Sequence, residues 1–99
     1  MEIDVVKQQI ESFAQALRGI VAPSRPNVLV EYGPRWARVV TKSFDQKNSS
    51  VYCFVDIQNG DIWKASSWRQ PQKNGKRGNV FEADYGLHCC SAYGLKYLR

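Results

Sequence analysis

VYCFVDIQNGDIWKASS, residues 51–67, holds the pattern on which the fold turns. Its first half is rich in β-branched and aromatic residues, which suit a pleated, half-buried strand. Asn59-Gly60 supplies the strongest turn signal in the chain, because Asn and Gly tolerate the positive φ angles of a type I′ turn. Strands over 51–58 and 61–67 follow. A two-residue turn sets Gln58 opposite Asp61, Ile57 opposite Ile62 and Phe54 opposite Ala65. Cross-strand partners share a face. Val51, Cys53, Val55, Ile57 and Ile62 therefore form an aliphatic face, and Tyr52, Phe54, Trp63 and Ala65 an aromatic one.

Upstream, VLVEY (28–32) and WARVVTKSF (36–44) read as two further strands, broken at Gly33-Pro34 and followed by the polar loop DQKNSS (45–50). APSRPN (22–27) is a linker, since two prolines in four residues exclude regular pairing. Before it, Ile3, Val6, Ile10, Phe13, Ala14 and Leu17 recur at spacings of three and four and make one stripe of a helix over 2–18. Gly19 suits its C-terminal stop. That stripe needs a surface to cover, and the aliphatic sheet face offers one. Downstream, RQPQKNGKRGN (69–79) reads as a long loop, and the closing residues read as a short helix over 87–98. Gly94 weakens that helix by about 1 kcal/mol relative to alanine. The expected class is α+β in a single domain, 1–99. An N-terminal helix packs on an antiparallel sheet of about four strands, and a short C-terminal helix follows.

A chain of 99 residues with 43% hydrophobic residues can bury one core. Its net charge of +5 is unevenly spread: residues 35–81 carry nine cations against three acids. That asymmetry points to a polyanionic partner. The N-terminus MEIDVVKQQIES is acidic and polar, unlike a signal peptide, and no apolar run reaches the roughly 18 residues of a membrane span. Cys53, Cys89 and Cys90 lack framework spacing. Reduced thiols and a cytoplasmic location are expected.

Lys64, Arg69, Lys73, Lys76 and Arg77 place five cations within fourteen residues, with no acid between them. Phosphates attract such a cluster and release counterions on contact. Pro71, Gly75 and Gly78 let backbone N–H groups approach closely. Trp68 adjoins Arg69, and Trp63 shares a face with Phe54, so bases could stack on their rings at about 1–3 kcal/mol each. The bland alternatives are a solvated loop and rings buried as core.

Little else in the sequence carries chemistry. His88-Cys89-Cys90 lacks the two-to-four-residue spacing of zinc ligand pairs, so no metal or other cofactor is expected. Adjacent His and Cys point in different directions and name no third orienting group. Asp56 and Asp61 suit turn stabilisation better than acid–base work. QKNGKRG lacks the order of a nucleotide-binding loop. No catalytic set emerges, and the chain does not read as an enzyme.

The segment 51–81 resembles the central part of a set of small bacteriophage proteins with no assigned activity. The shared elements are Tyr52, Phe54, Val55, Asp56, Asn59, Gly60, Asp61, Lys64, Ala65, Trp68, Arg69, Pro71, Arg77, Gly78 and Asn79, with YGLKYLR resembling the endings of that group. The resemblance covers about half the chain and implies a virus-encoded protein acting in the bacterial cytoplasm. The element order is also similar to that of double-stranded-RNA-binding domains, but DYGLHCC (84–90) lacks their lysine-rich entry to the last helix.

Non-catalytic nucleic-acid binding is the leading expectation, with Lys64, Arg69, Lys73, Lys76 and Arg77 on phosphates and Trp68, then Trp63, stacking. The alternatives are an accessory protein that binds and modulates an acidic host protein, such as a defence protein, and a minor virion component. The residues do not choose between DNA, RNA and protein, nor do they set an oligomeric state.

Overall fold

The computed structural model describes residues 3–21, 26–45, 47–91 and 94–95. The expected helix is present as α1, Ile3–Leu17. Val6, Ile10, Phe13 and Leu17 are wholly buried along its stripe, each worth about 1.5–3 kcal/mol of transfer free energy. Gly19 does not adopt the left-handed conformation. The helix instead ends by tightening, with Gly19 N–H donating to Ala16 O (3.2 Å) and Ile20 N–H to Leu17 O (2.9 Å). Most of the linker expected at 22–27 lies outside the described residues.

Five strands follow: β1 (Asn27–Tyr32), β2 (Trp36–Lys42), β3 (Ser49–Asp56), β4 (Asp61–Ala65) and β5 (Pro71–Asn79). They form one antiparallel meander in chain order. Val28, Ala37, Val39, Cys53, Val55 and Ile62 join the helix stripe in a single core, so the aliphatic face seats α1 as expected. The other face is left uncovered by the helix.

Three expectations need correction. The β3–β4 connection is not a two-residue turn. Phe54 pairs with Trp63 and Val55 with Ile62, a register two residues from the expected one. Only Gly60 has positive φ (82°) there, and its N–H donates to Asp56 O at 2.7 Å. The buried Asp56 carboxylate accepts Gln58 N–H at 2.9 Å and starts the turn early. Ile57 is thereby freed from pairing and enters the core. A shift of two keeps each side chain on its face.

A bulge also exchanges two neighbours. Val39 pairs with Cys53, but Val40 pairs with Val51, so Tyr52 is the extra residue. Tyr52 joins the helix-side core, and Val51 faces away from it with Val40.

The third correction concerns residues 69–98. The expected loop contains β5, paired to β4, so the sheet has five strands rather than four. Its composition is poor for a strand but apt for an edge, where charges discourage pairing with another chain. Gln72–Gly75 form a detour between the pairs Ala65–Pro71 and Trp63–Lys76. Among the described residues the expected C-terminal helix is replaced by a 3₁₀ turn, Leu87–Cys89, and a ribbon of β6 (Cys90–Ser91) and β7 (Gly94–Leu95). Gly86 opens that turn with φ 81°, against Ile62 and Asn79 O, where a Cβ would stand 2.5 and 2.9 Å away. The turn carries the adjacent Cys89 and Cys90 into the core, where both are buried.

Gly60 is held by both conformation and space, since a Cβ there would lie 2.8 Å from Val80 Cγ2. Gly60→Ala is expected to cost roughly 2 kcal/mol, read as a lower urea midpoint with unchanged slope.

Candidate functional site

The corrected register builds one row across the uncovered face. Glu31, Arg38, Phe54, Trp63 and Lys76 stand opposite one another on five successive strands. Trp36, two residues before Arg38, shares their face and meets Phe54 and Trp63 edge-on, at centroid distances of 6.4 and 5.8 Å. Such T-shaped pairs suit the ring quadrupoles and add about 0.5–1.5 kcal/mol beyond area burial. Phe54 is only 3% exposed. The aromatic face is thus sealed at its centre, and only its rim can meet a partner.

Arginines form that rim. Arg35 lies over Trp36 at 5.1 Å and Arg38 over Trp68 at 4.7 Å. Arg38 also donates from Nε to Glu31 Oε1 (2.9 Å) and from Nη1 to Trp68 O (2.9 Å). It therefore fixes the 66–70 bend against the sheet. Arg35 reaches Asp56 Oδ2 at 3.4 Å, yet its side chain stays 60% exposed. Glu31, Tyr32, Gly33, Pro34, Arg35, Trp36, Arg38, Phe54 and Arg69 line a groove of about 330 Å³ between the β1–β2 turn and the bend.

The residues singled out from sequence fall into two places. Arg69 lines the groove, and Trp68, 40% exposed, stacks on Arg38 beside it. Lys73, Lys76 and Arg77 belong to β5. Lys73 rides the exposed detour. Lys76 pairs with Asp61 at 3.3 Å while remaining 56% exposed, so solvent leaves that pair weak. The half-buried Arg77 donates from Nη1 to Lys76 O at 3.3 Å. Lys64 follows Trp63 along β4 and by alternation falls on the opposite face. Trp63 is half-buried, and its Nε1 has no hydrogen-bond partner among the described residues.

Sequence reasoning missed Arg35, Trp36 and Arg38. The signal was present, since Trp36 and Arg38 alternate along one strand, but it had meaning only once β2 was registered against Phe54.

The thiols lie on the other side, in the helix-side core. All three are unbridged and buried. Burial, then the neighbouring Cys89, pushes the Cys53 thiol well up. A hydrogen bond from Cys90 lowers Cys89, and the same bond followed by burial raises Cys90. Tyr32 sits at the end of β1, where burial and its hydrogen bond to Glu11 raise its phenol.

A helix-backed antiparallel meander whose uncovered face is aromatic at the centre and cationic at the rim defines a small α+β domain. The chain belongs to a family of unknown function (DUF7717), whose model matches residues 3–95. No curated protein and no solved structure matches it significantly. No helix among the described residues is long and apolar enough to cross a membrane.

Phe54 is the keystone of the aromatic face. Phe54→Ala is expected to cost about 3–5 kcal/mol. Trp63→Phe keeps a ring and removes an orphan donor, so its cost should stay below about 1.5 kcal/mol. Urea unfolding of the two variants checks the difference.

Proposed function

We propose that this chain is a small basic, non-catalytic nucleic-acid-binding protein of bacteriophage origin, working in the cytoplasm of a bacterial host. The observation that carries the reading is the meeting of Arg35, Arg38 and Arg69 with Tyr32 and Trp36 in one groove. Guanidinium groups suit phosphate oxygens in a bidentate manner, and partly exposed rings suit bases of any sequence. A rim of this kind favours single strands, whose unstacked bases can enter a groove that a duplex cannot offer a base to. The cations of β5 extend the positive surface along the sheet edge and add sequence-independent phosphate contacts. The segment's resemblance to small bacteriophage proteins supports the viral origin and the host compartment.

Trp68 supports a second reading. Half exposed and clamped by Arg38, it has the form of an interface anchor, since Trp and Arg are enriched among hot spots. The partner would then be an acidic host protein.

Fluorescence anisotropy with labelled single-stranded DNA, RNA and duplex DNA separates the readings. Binding to single strands should weaken steeply between about 50 and 200 mM salt. Replacing Lys73, Lys76 and Arg77 together by alanine should lower the log–log salt slope by about 2. Arg35→Ala with Arg69→Ala should weaken binding at fixed salt. No binding at the lowest salt sinks the nucleic-acid reading. Capture of a host protein that is lost in Trp68→Ala at any moderate salt would then support the second.

A further inference from the structure

Outside the groove, Glu82, Asp84 and His88 bring two carboxylates and an imidazole together on the segment joining β5 to the 3₁₀ turn. Their ligand atoms all lie within 4.8 Å of one another. His88 Nδ1 stands 3.3 Å from Asp84 Oδ2 and 3.7 Å from Glu82 Oε2. Charge-assisted N–H···O bonds run about 2.7–2.9 Å, so these spacings are too long for good hydrogen bonds. Two donors each about 2.1 Å from a tetrahedral zinc ion stand about 3.4 Å apart. The two observed distances straddle that length.

The donors are also held in place. Glu82 Oε1 accepts Asn79 N–H at 2.6 Å, which leaves Oε2 towards the imidazole. Asp84 Oδ1 and Oδ2 accept the N–H groups of Gly86 and His88, each at 2.9 Å. Desolvation of Asp84 is the largest single influence and works the other way, but those two bonds and the nearby His88 together hold its carboxyl below the usual range.

A second observation comes from β5. Gly78 lies beside the cluster without a side chain, and a Cβ there would stand 3.1 Å from Glu82 Oε1, 3.3 Å from Cys89 Sγ and 3.5 Å from His88 Cε1. The strand opposite Ile62 is thus kept bare where Glu82 and His88 approach it. His88, Glu82 and Asp84 are 52, 42 and 46% exposed. Water can therefore complete the coordination.

The geometry points to a divalent-metal site formed by Glu82, Asp84 and His88, of the nitrogen–oxygen type that zinc takes. An imidazole with two carboxylates selects zinc and its transition-metal neighbours over magnesium and calcium, which prefer all-oxygen shells. The bound ion ties the end of β5 to the 3₁₀ turn. The relevant sequence spacing is Glu-x-Asp-x-x-x-His, not the His-Cys-Cys run, and the cysteines are not its ligands.

Calorimetric titration with zinc chloride near neutral pH, with magnesium chloride in parallel, tests the site on the whole protein. One zinc per chain is expected, with no magnesium binding at the same concentration and a thermal midpoint raised by about 10–20 °C, which is what a ligand in roughly hundredfold excess over its dissociation constant gives a domain of this size. His88→Ala should weaken zinc binding at least about tenfold, and Glu82→Gln, which keeps the acceptor for Asn79 N–H, should weaken it similarly. Metal-free melts of both variants should match the parent. Absence of zinc binding at millimolar metal overturns the site, as does equal affinity for magnesium. Binding retained in His88→Ala but lost in Cys89→Ser assigns the metal to the thiols and also overturns it.

Discussion

Asp56 is a carboxylate at the end of a strand, 3% exposed, where an unpaired charge is costly. Its two oxygens are answered by different elements: Gln58 N–H at 2.9 Å on one side and Arg35 at 3.4 Å on the other. The first contact begins the turn before Asn59, and the second anchors the entry of β2 to the exit of β3. Together they fix which residue of β4 lies opposite Phe54, and hence the whole row from Glu31 to Lys76. Asn79 repeats the device from β5, donating to Asn59 O and Asp61 Oδ1 at 3.0 and 2.9 Å. The sheet edge is therefore tied to the same turn by side chains as well as by its ladder.

That dependence links two surfaces that share no residue. The groove needs Trp36 and Arg38 beside Phe54, which the β2–β3 pairing sets. The Glu82–His88 segment needs β5 to end at Asn79, whose N–H holds Glu82. Both follow from one register. The rim arginines also have two tasks each: Arg35 answers Asp56, and Arg38 answers Glu31 while covering Trp68. A phosphate arriving at either would compete with a carboxylate already present. The Arg38–Glu31 pair is exposed on the glutamate side, so the competition there is mild, whereas Arg35 answers the buried Asp56 and yields less readily.

Periodicity made α1 legible, and β-branched or aromatic runs bounded by turn signals made β1 to β4 legible, although β3 is buried on both faces. β5 was not legible: no alternation of apolar residues exists in PQKNGKRGN, and its pairing is set by the backbone of β4 and by glycines that allow close approach. The C-terminal ribbon was hidden for a related reason. Tyr85 and Gly86 both take left-handed conformations, and only the second is a residue from which that could be expected. The bulge at Tyr52 leaves no local trace, since its reward is burial in the helix-side core at long range. Of the candidate site, Trp68 and Arg69 were readable as neighbours in sequence. Arg35, Trp36 and Arg38 reach them only through the sheet.

The detour at Gln72–Gly75 separates two pairs that are each secured on their own, Ala65–Pro71 before it and Trp63–Lys76 after it. Gly75 is buried where it returns to β4, with a Cβ position 3.2 Å from Lys64 O. A segment pinned at both ends is insulated from the rest of the fold. Its length can change at the price of loop-closure entropy alone, about 0.6 kcal/mol for each doubling. Its charge can change without disturbing the row of Phe54. The protein thus carries an exchangeable cassette on a fixed frame, whose length and charge can vary while the meander beneath stays the same.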